Sequence, residues 1–214
     1  MLKNRIFSLL LTATVLVFCF KMFQIIRLYT VAEPDTTFLR SRADQINWPQ
    51  YRWALYAHIF PALLILATGM TQFSAYILRR AVVVHRVLGQ VYVQLVLWLS
   101  APAALVMSFY AAGGWFTKAA FLCQSICWWF CTFWAWRAIR NRSIQVHGIW
   151  MVRSYAICAG AITLRLMQLL FHLQGQMLPG DSYRLVAWPS WLLNLALAEL
   201  LLAIYAYRRK LRPA

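Results

Sequence analysis

The sequence predicts an all-α fold, a polytopic transmembrane helical bundle of about six spans forming one integral membrane domain over residues 1–214. Three observations predict it. Apolar residues make up 63% of the chain and charged residues only 12%, against roughly 45–50% and about 25% in soluble domains. Mean hydropathy is +0.61. The charges fall in short runs between apolar stretches, each long enough to cross a bilayer at about 20 residues per crossing. This balance excludes a soluble globular enzyme, a disordered chain and a secreted disulfide scaffold.

Net charge is +16, from 21 Lys and Arg against 5 Asp and Glu. No basic stretch is long enough to form a nucleic-acid-binding domain, so the excess reads as topogenic charge facing anionic lipid headgroups. The five cysteines, Cys19, Cys123, Cys127, Cys131 and Cys158, lie inside apolar segments. Their number is odd and none forms a C-x-x-C, so no disulfide framework is implied. Cys123, Cys127 and Cys131 recur every four residues and mark one stripe of a helix, as small packing residues do.

The apolar runs place spans at 6–28, 52–78, 87–111, 117–138, 148–172 and 189–207. The first follows Lys3 and Arg5 and lacks a small-residue cleavage site, which makes it an uncleaved anchor, with Lys21 snorkelling outward. Ala111-Ala112-Gly113-Gly114 reads as a tight turn between the third and fourth spans. Basic residues gather on one side: Lys3 and Arg5; Arg79, Arg80 and Arg86; Arg137, Arg140 and Arg142; Arg208, Arg209, Lys210 and Arg212. Glu33, Asp35, Asp44 and Asp181 fall on the other. The positive-inside rule then sets both termini in the cytoplasm. Spans two–three and four–five read as two copies of one hairpin, Arg79-Arg80…His85-Arg86…Tyr92 and Arg140-Asn141-Arg142…His147…Tyr155.

Ionisable groups inside the membrane cost about 2.5–3.5 kcal/mol on insertion scales and so need a reason. Here they are His58, Arg153, Arg165 and Glu199. Counting about 1.5 Å per residue inward from span ends at His172 and Pro189 sets Arg165 roughly 10 Å and Glu199 roughly 15 Å below the external boundary. His58, Asn194 and Gln124 come out at similar depth, with Gln168 one turn from Arg165. The expectation is an outer polar cluster built on an Arg165–Glu199 ion pair, acting either as interhelical glue or as a ligand or proton site.

A second constellation sits at the basic boundary. His85-Arg86 opens the third span, and His147 opens the fifth, with Arg153 and Tyr155 beyond it. His85 and His147 are candidate axial ligands of a b-type haem, two imidazoles from different helices. A second haem between His58 and His172 is disfavoured, because His147 and His172 would stand about 37 Å apart along one helix. That exceeds a core of about 30 Å. There is no G-x-S-x-G, H-E-x-x-H, P-loop or Gly-rich dinucleotide turn, and Glu199 is the sole acid inside a span, so a two-carboxylate mechanism within the membrane is excluded.

The residues so singled out belong to a larger pattern. His58, Gly69 and Gln72 lead to His85-Arg86-x-x-Gly89-x-x-Tyr92; His147-x-x-Trp150-Met151-x-Arg153-Ser154-Tyr155 and Thr163-Leu164-Arg165 follow; Ser190-Trp191-Leu192-x-Asn194-Leu195 then runs into Ala198-Glu199. From about residue 52 to 200 this resembles a bacterial family of multi-pass membrane proteins known only as a domain of unknown function. The resemblance implies an integral protein of the bacterial inner membrane and carries no activity. Its second histidine motif usually reads His-Arg, where this chain has His147-Gly148.

The functional expectation is a small redox- or proton-linked membrane protein binding haem b or a quinone-like lipid. His85 and His147 would serve an inner site, flanked by Arg86, Arg153 and Tyr155. His58, Gln124, Arg165, Asn194 and Glu199 would line an outer pocket, where Glu199 is the carboxylate able to take a proton. The alternatives are a non-redox carrier of a lipid or small anion, against which no Gly/Pro-broken helix pair is seen, and an accessory subunit bracing a membrane complex.

Overall fold

In a computed structural model, residues 47–173 and 179–210 are described, together with Val17, Phe20, Phe23 and Gln24. Apart from those four positions, the expected first span at 6–28 lies outside the described residues. The elements in order are α1 (Pro49–Thr71), α2 (Ala75–Arg80), α3 (Val82–Ser108), α4 (Gly114–Arg140), α5 (Ile144–Cys158), α6 (Gly160–Leu173), α7 (Pro179–Val186) and α8 (Pro189–Lys210). All are helical, and no strand occurs among the described residues. Four stretches are long and apolar enough to cross a membrane: Pro49–Thr71, Val82–Ser108, Ile144–Phe171 and Tyr183–Lys210. At 27 residues α4 has the length too, but its five tryptophans, Gln124 and three basic residues make it less apolar than the other four.

The chain divides into two compact units between Ala103 and Ala104. In the first, α1 packs on α3. Leu55, Ile65, Tyr92, Val96 and Ser100 are fully buried there. The expected second span, 52–78, is not one helix. It ends at Thr71, and Ser74 restarts the chain as an N-cap, its hydroxyl accepting from the Ile77 N–H at 3.5 Å. Caps of this kind satisfy the otherwise unpaired donors of a helix start. The third span begins at Val82, five residues earlier than expected, and widens into a π-turn at Val96–Ser100. Pro102 follows directly; it has no N–H to give the carbonyl four residues back, and the wider turn accommodates that gap. A Cβ at Gly89 of α3 would lie 2.9 Å from Gln72 Oε1, the tip of a side chain just past α1.

In the second unit α4 and α5 form a hairpin, α8 lies against α5 and α6, and α7 packs on α4 and α6. Its core is rich in small and hydroxylated side chains: Ala120, Thr132, Ala135, Ser154 and Ser190 are all completely buried beside larger ones such as Ile157. Such residues let helix backbones come close in a lipid setting, where apolar bulk gives no driving force between helices. The Thr132 and Ser154 hydroxyls meet at 2.7 Å and pin α4 to α5. Gly113, the N-cap of α4, and Gly114, its first residue, both take positive φ, 91° and 79°.

The α4–α5 turn is closed by the Ser143 N–H donating to Ala138 O at 2.9 Å. Within it Arg142 adopts φ 59°, alone among non-glycine residues described. An L-residue in that region carries a steric cost that glycine escapes. Arg142→Gly is therefore expected to raise stability by up to about 1 kcal/mol, the left-handed steric cost of about 1–2 kcal/mol less the roughly 0.4–1 kcal/mol of added freedom in the unfolded chain, read as a higher midpoint in a thermal melt in detergent. A lower midpoint would show that the guanidinium contributes more than the backbone costs.

Candidate functional site

The carboxylate held between helices of the second unit is Glu199. Its partner is Arg153, not Arg165. Arg153 Nε donates to Glu199 Oε1 at 2.6 Å, and Nη2 donates to Oε2 at 3.0 Å, a side-on bidentate pair joining α5 to α8. Arg165 instead donates to Gln168 Oε1 at 3.1 Å on its own helix and faces outward. The expected Arg165–Glu199 cluster is thus corrected. The cause is the ruler: counting depth inward from separate span ends at His172 and Pro189 does not fix how α5, α6 and α8 are registered against one another, and the observed register pairs Glu199 with Arg153. Measured from the basic end, Arg153 is nine residues past Ile144 and Glu199 nine residues before Arg208. Both therefore lie about 13–14 Å in, near the middle of a core of about 30 Å.

Arg153 is held from a second side by Trp150, whose ring centre lies 4.6 Å from the guanidinium carbon. Phe130 of α4 packs edge-on to Trp150 at 5.8 Å. Between α4, α5 and α8 these side chains border a half-open cavity of about 410 Å³, whose wall is mostly apolar and includes Cys127, Cys131 and Leu195 besides Arg153 and Glu199. The pair stays accessible from it, with side-chain exposures of 26% for Arg153 and 47% for Glu199. Ligand pockets commonly have this volume and this mixture of apolar wall with a few polar groups.

The other expected site residues separate from this cavity. Asn194 donates through Nδ2 to Thr163 Oγ1 at 2.9 Å and to Ser190 O at 3.2 Å, while the Thr163 hydroxyl bonds Asn194 Oδ1 at 3.1 Å, a clasp between α6 and α8. Gln124 Nε2 donates to Ile157 O at 3.3 Å and ties α4 to α5. These two amides are interhelical bonds of the kind expected of polar residues in bundles. Tyr155 lies on α5 beyond Arg153, half-buried. In the first unit His58 meets Ser100 on the π-turn, its Nδ1 lying 3.0 Å from both the carbonyl and the hydroxyl oxygen. Arg86 is exposed on the first turns of α3.

His85 and His147 do open their helices as expected, within the first turns of α3 and α5. His147 Nδ1 lies 2.8 Å from Ala135 O, which anchors the ring to α4. The two histidines belong to different units, so no axial pair is defined. No group of three or more His, Cys, Asp or Glu able to hold a metal ion occurs among the described residues. The aromatic flank of the cavity, Phe130 and Trp150, was not singled out from the sequence as lining, because with 11 Trp and 13 Phe in the chain no single ring stands out. The Thr132–Ser154 pin also went unseen, since isolated hydroxyls carry no pattern.

A helical membrane protein whose second unit holds an accessible ion pair beside a mostly apolar cavity is the class that the geometry defines. Residues 55–202, more than two thirds of the chain, match the family described as predicted membrane protein DUF2306, and the chain belongs to that family. No curated protein and no solved structure matches it.

Proposed function

We propose that this protein binds a ring-bearing amphiphile of the lipid phase, a quinone- or quinol-like molecule, in the cavity between α4, α5 and α8, with the basic helix ends facing the cytoplasm. The observation that carries the reading is the bidentate Arg153–Glu199 pair, at mid-membrane depth, lying accessible on the wall of a largely apolar cavity. An ion pair exposed at that depth is costly unless polar chemistry meets it. Bonding through Nε and Nη2 leaves the N–H groups of Nη1 for a carbonyl oxygen. The outer lone pairs of the carboxylate can accept from a hydroxyl. A head group alternating between carbonyl and hydroxyl satisfies both, and Phe130 with Trp150 offers ring faces to a planar molecule. A small anion fits less well, because Glu199 already neutralises Arg153.

The test is equilibrium binding of a short-chain benzoquinone to the purified protein in lipid nanodiscs. Saturable one-to-one binding is expected. Ile126→Trp fills the cavity from an exposed position without touching the ion pair, and is expected to weaken binding at least tenfold at an unchanged melting midpoint. Uptake that never saturates, or is the same in Ile126→Trp, would overturn the reading.

A further inference from the structure

The Arg153–Glu199 pair also sets a register. Going nine residues back along α5 and nine forward along α8 brings Ile144 and Arg208 to the same end of the antiparallel helices. That end therefore gathers two groups of three cations from different helices. Arg137, Arg140 and Arg142 come from the α4–α5 turn, and Arg208, Arg209 and Lys210 from the end of α8. All six are exposed. Among the described residues none of the six is in an ion pair, and Glu199 is already paired with Arg153.

Below the first group runs an aromatic strip on α4. Trp129 stacks on Phe133 at 5.1 Å, and Phe133 meets Trp136 at 6.0 Å. The Arg140 guanidinium carbon lies 5.8 Å from the Trp136 ring centre, and that of Arg137 5.8 Å from Trp134. Both guanidiniums are thereby kept at the head of the strip. From Arg140 down to Trp129 the helix descends about 16 Å, close to half of a core of about 30 Å, the depth of one acyl chain.

We propose that this end of the second unit is a discrete binding site for a dianionic phospholipid, one phosphate held by each cation group and an acyl chain lying along Trp136, Phe133 and Trp129. Basic pockets between helices take such headgroups through charge and hydrogen bonds to phosphate oxygens. α4 and α8 both pack on α5, so the two cation groups flank its start and offer one group to each of two linked phosphates. The site is independent of the cavity at Arg153 and Glu199.

The protein in nanodiscs of neutral phosphatidylcholine would be given diphosphatidylglycerol, phosphatidylglycerol at twice the molar amount to match charge, or inorganic phosphate. Retained lipid would be counted by native mass spectrometry. One diphosphatidylglycerol is expected to stay bound per chain, at least fivefold more than phosphatidylglycerol at matched charge. That retention should fall at least fivefold in Arg137→Gln/Arg140→Gln and, on the other helix, in Arg208→Gln/Arg209→Gln. Equal retention of the two lipids, retention unaffected in both variants, or competition by inorganic phosphate alone would overturn the proposal. If one variant fails to fold, the other decides.

Discussion

Arg153→Ala is expected to destabilise the protein by up to about 3 kcal/mol, the insertion cost of a charge left unpaired near the middle of the membrane. Glu199→Ala should cost less. The guanidinium it strands keeps its seat on the Trp150 ring at 4.6 Å, a contact contributing about 0.5–2 kcal/mol. Removing both charges leaves neither stranded, so the double change should be milder than the sum by at least about 1 kcal/mol, within the range seen for residues in direct contact. Arg165→Ala, exposed and bonded only along its own helix to Gln168, should stay within about 0.5 kcal/mol. Reversible unfolding in mixed detergent would give all four values. Strict additivity, or a cost at Arg165 equal to that at Arg153, would remove the pair from the centre of the structure.

The helical membrane character was legible because hydropathy and charge act over whole segments, and the errors of single residues average out. Histidines opening α3 and α5 were legible for a related reason: the apolar pattern restarts beside them. What escaped was anything set by a few residues of helix geometry. Ser74 splits a run that hydropathy joins, and the register of α8 against α5, seen in the Arg153–Glu199 contact, is not written in hydropathy. The site was thus half legible. Glu199 and Arg153 stood out as charges in apolar helices, but depth counted along separate straight helices cannot rank two arginines on one run. Asn194 and Gln124 were identified as polar and buried enough to matter. Which of glue or site they served depended on whether a partner lay across the helix interface, and a sequence does not hold that distance.

The same substitution should act with opposite sign at two glycines of the second unit. At Gly160 an added Cβ would lie 2.9 Å from Trp191 Cβ, 3.2 Å from Trp191 Cα and 3.0 Å from Gln124 Nε2. The first two atoms belong to or adjoin the α8 backbone and cannot rotate away. Gly160→Ala must therefore push α6 from α8, at a cost of about 1–3 kcal/mol for overpacking a tight core. Gly148, on the exposed side of α5, has nothing within 4 Å of such a Cβ. There Gly148→Ala should stabilise by about 0.5–1 kcal/mol, the helix-interior preference for alanine. The Gly160 effect should also reach the Thr163–Asn194 clasp, which spans the same pair of helices one turn away. Adding Gln124→Ala to Gly160→Ala separates the neighbours. If the α8 backbone is the obstacle, the double variant melts no higher than Gly160→Ala alone. Full recovery would move the obstacle to the Gln124 amide, a flexible group, and α6 and α8 would then not need to approach so closely at this point.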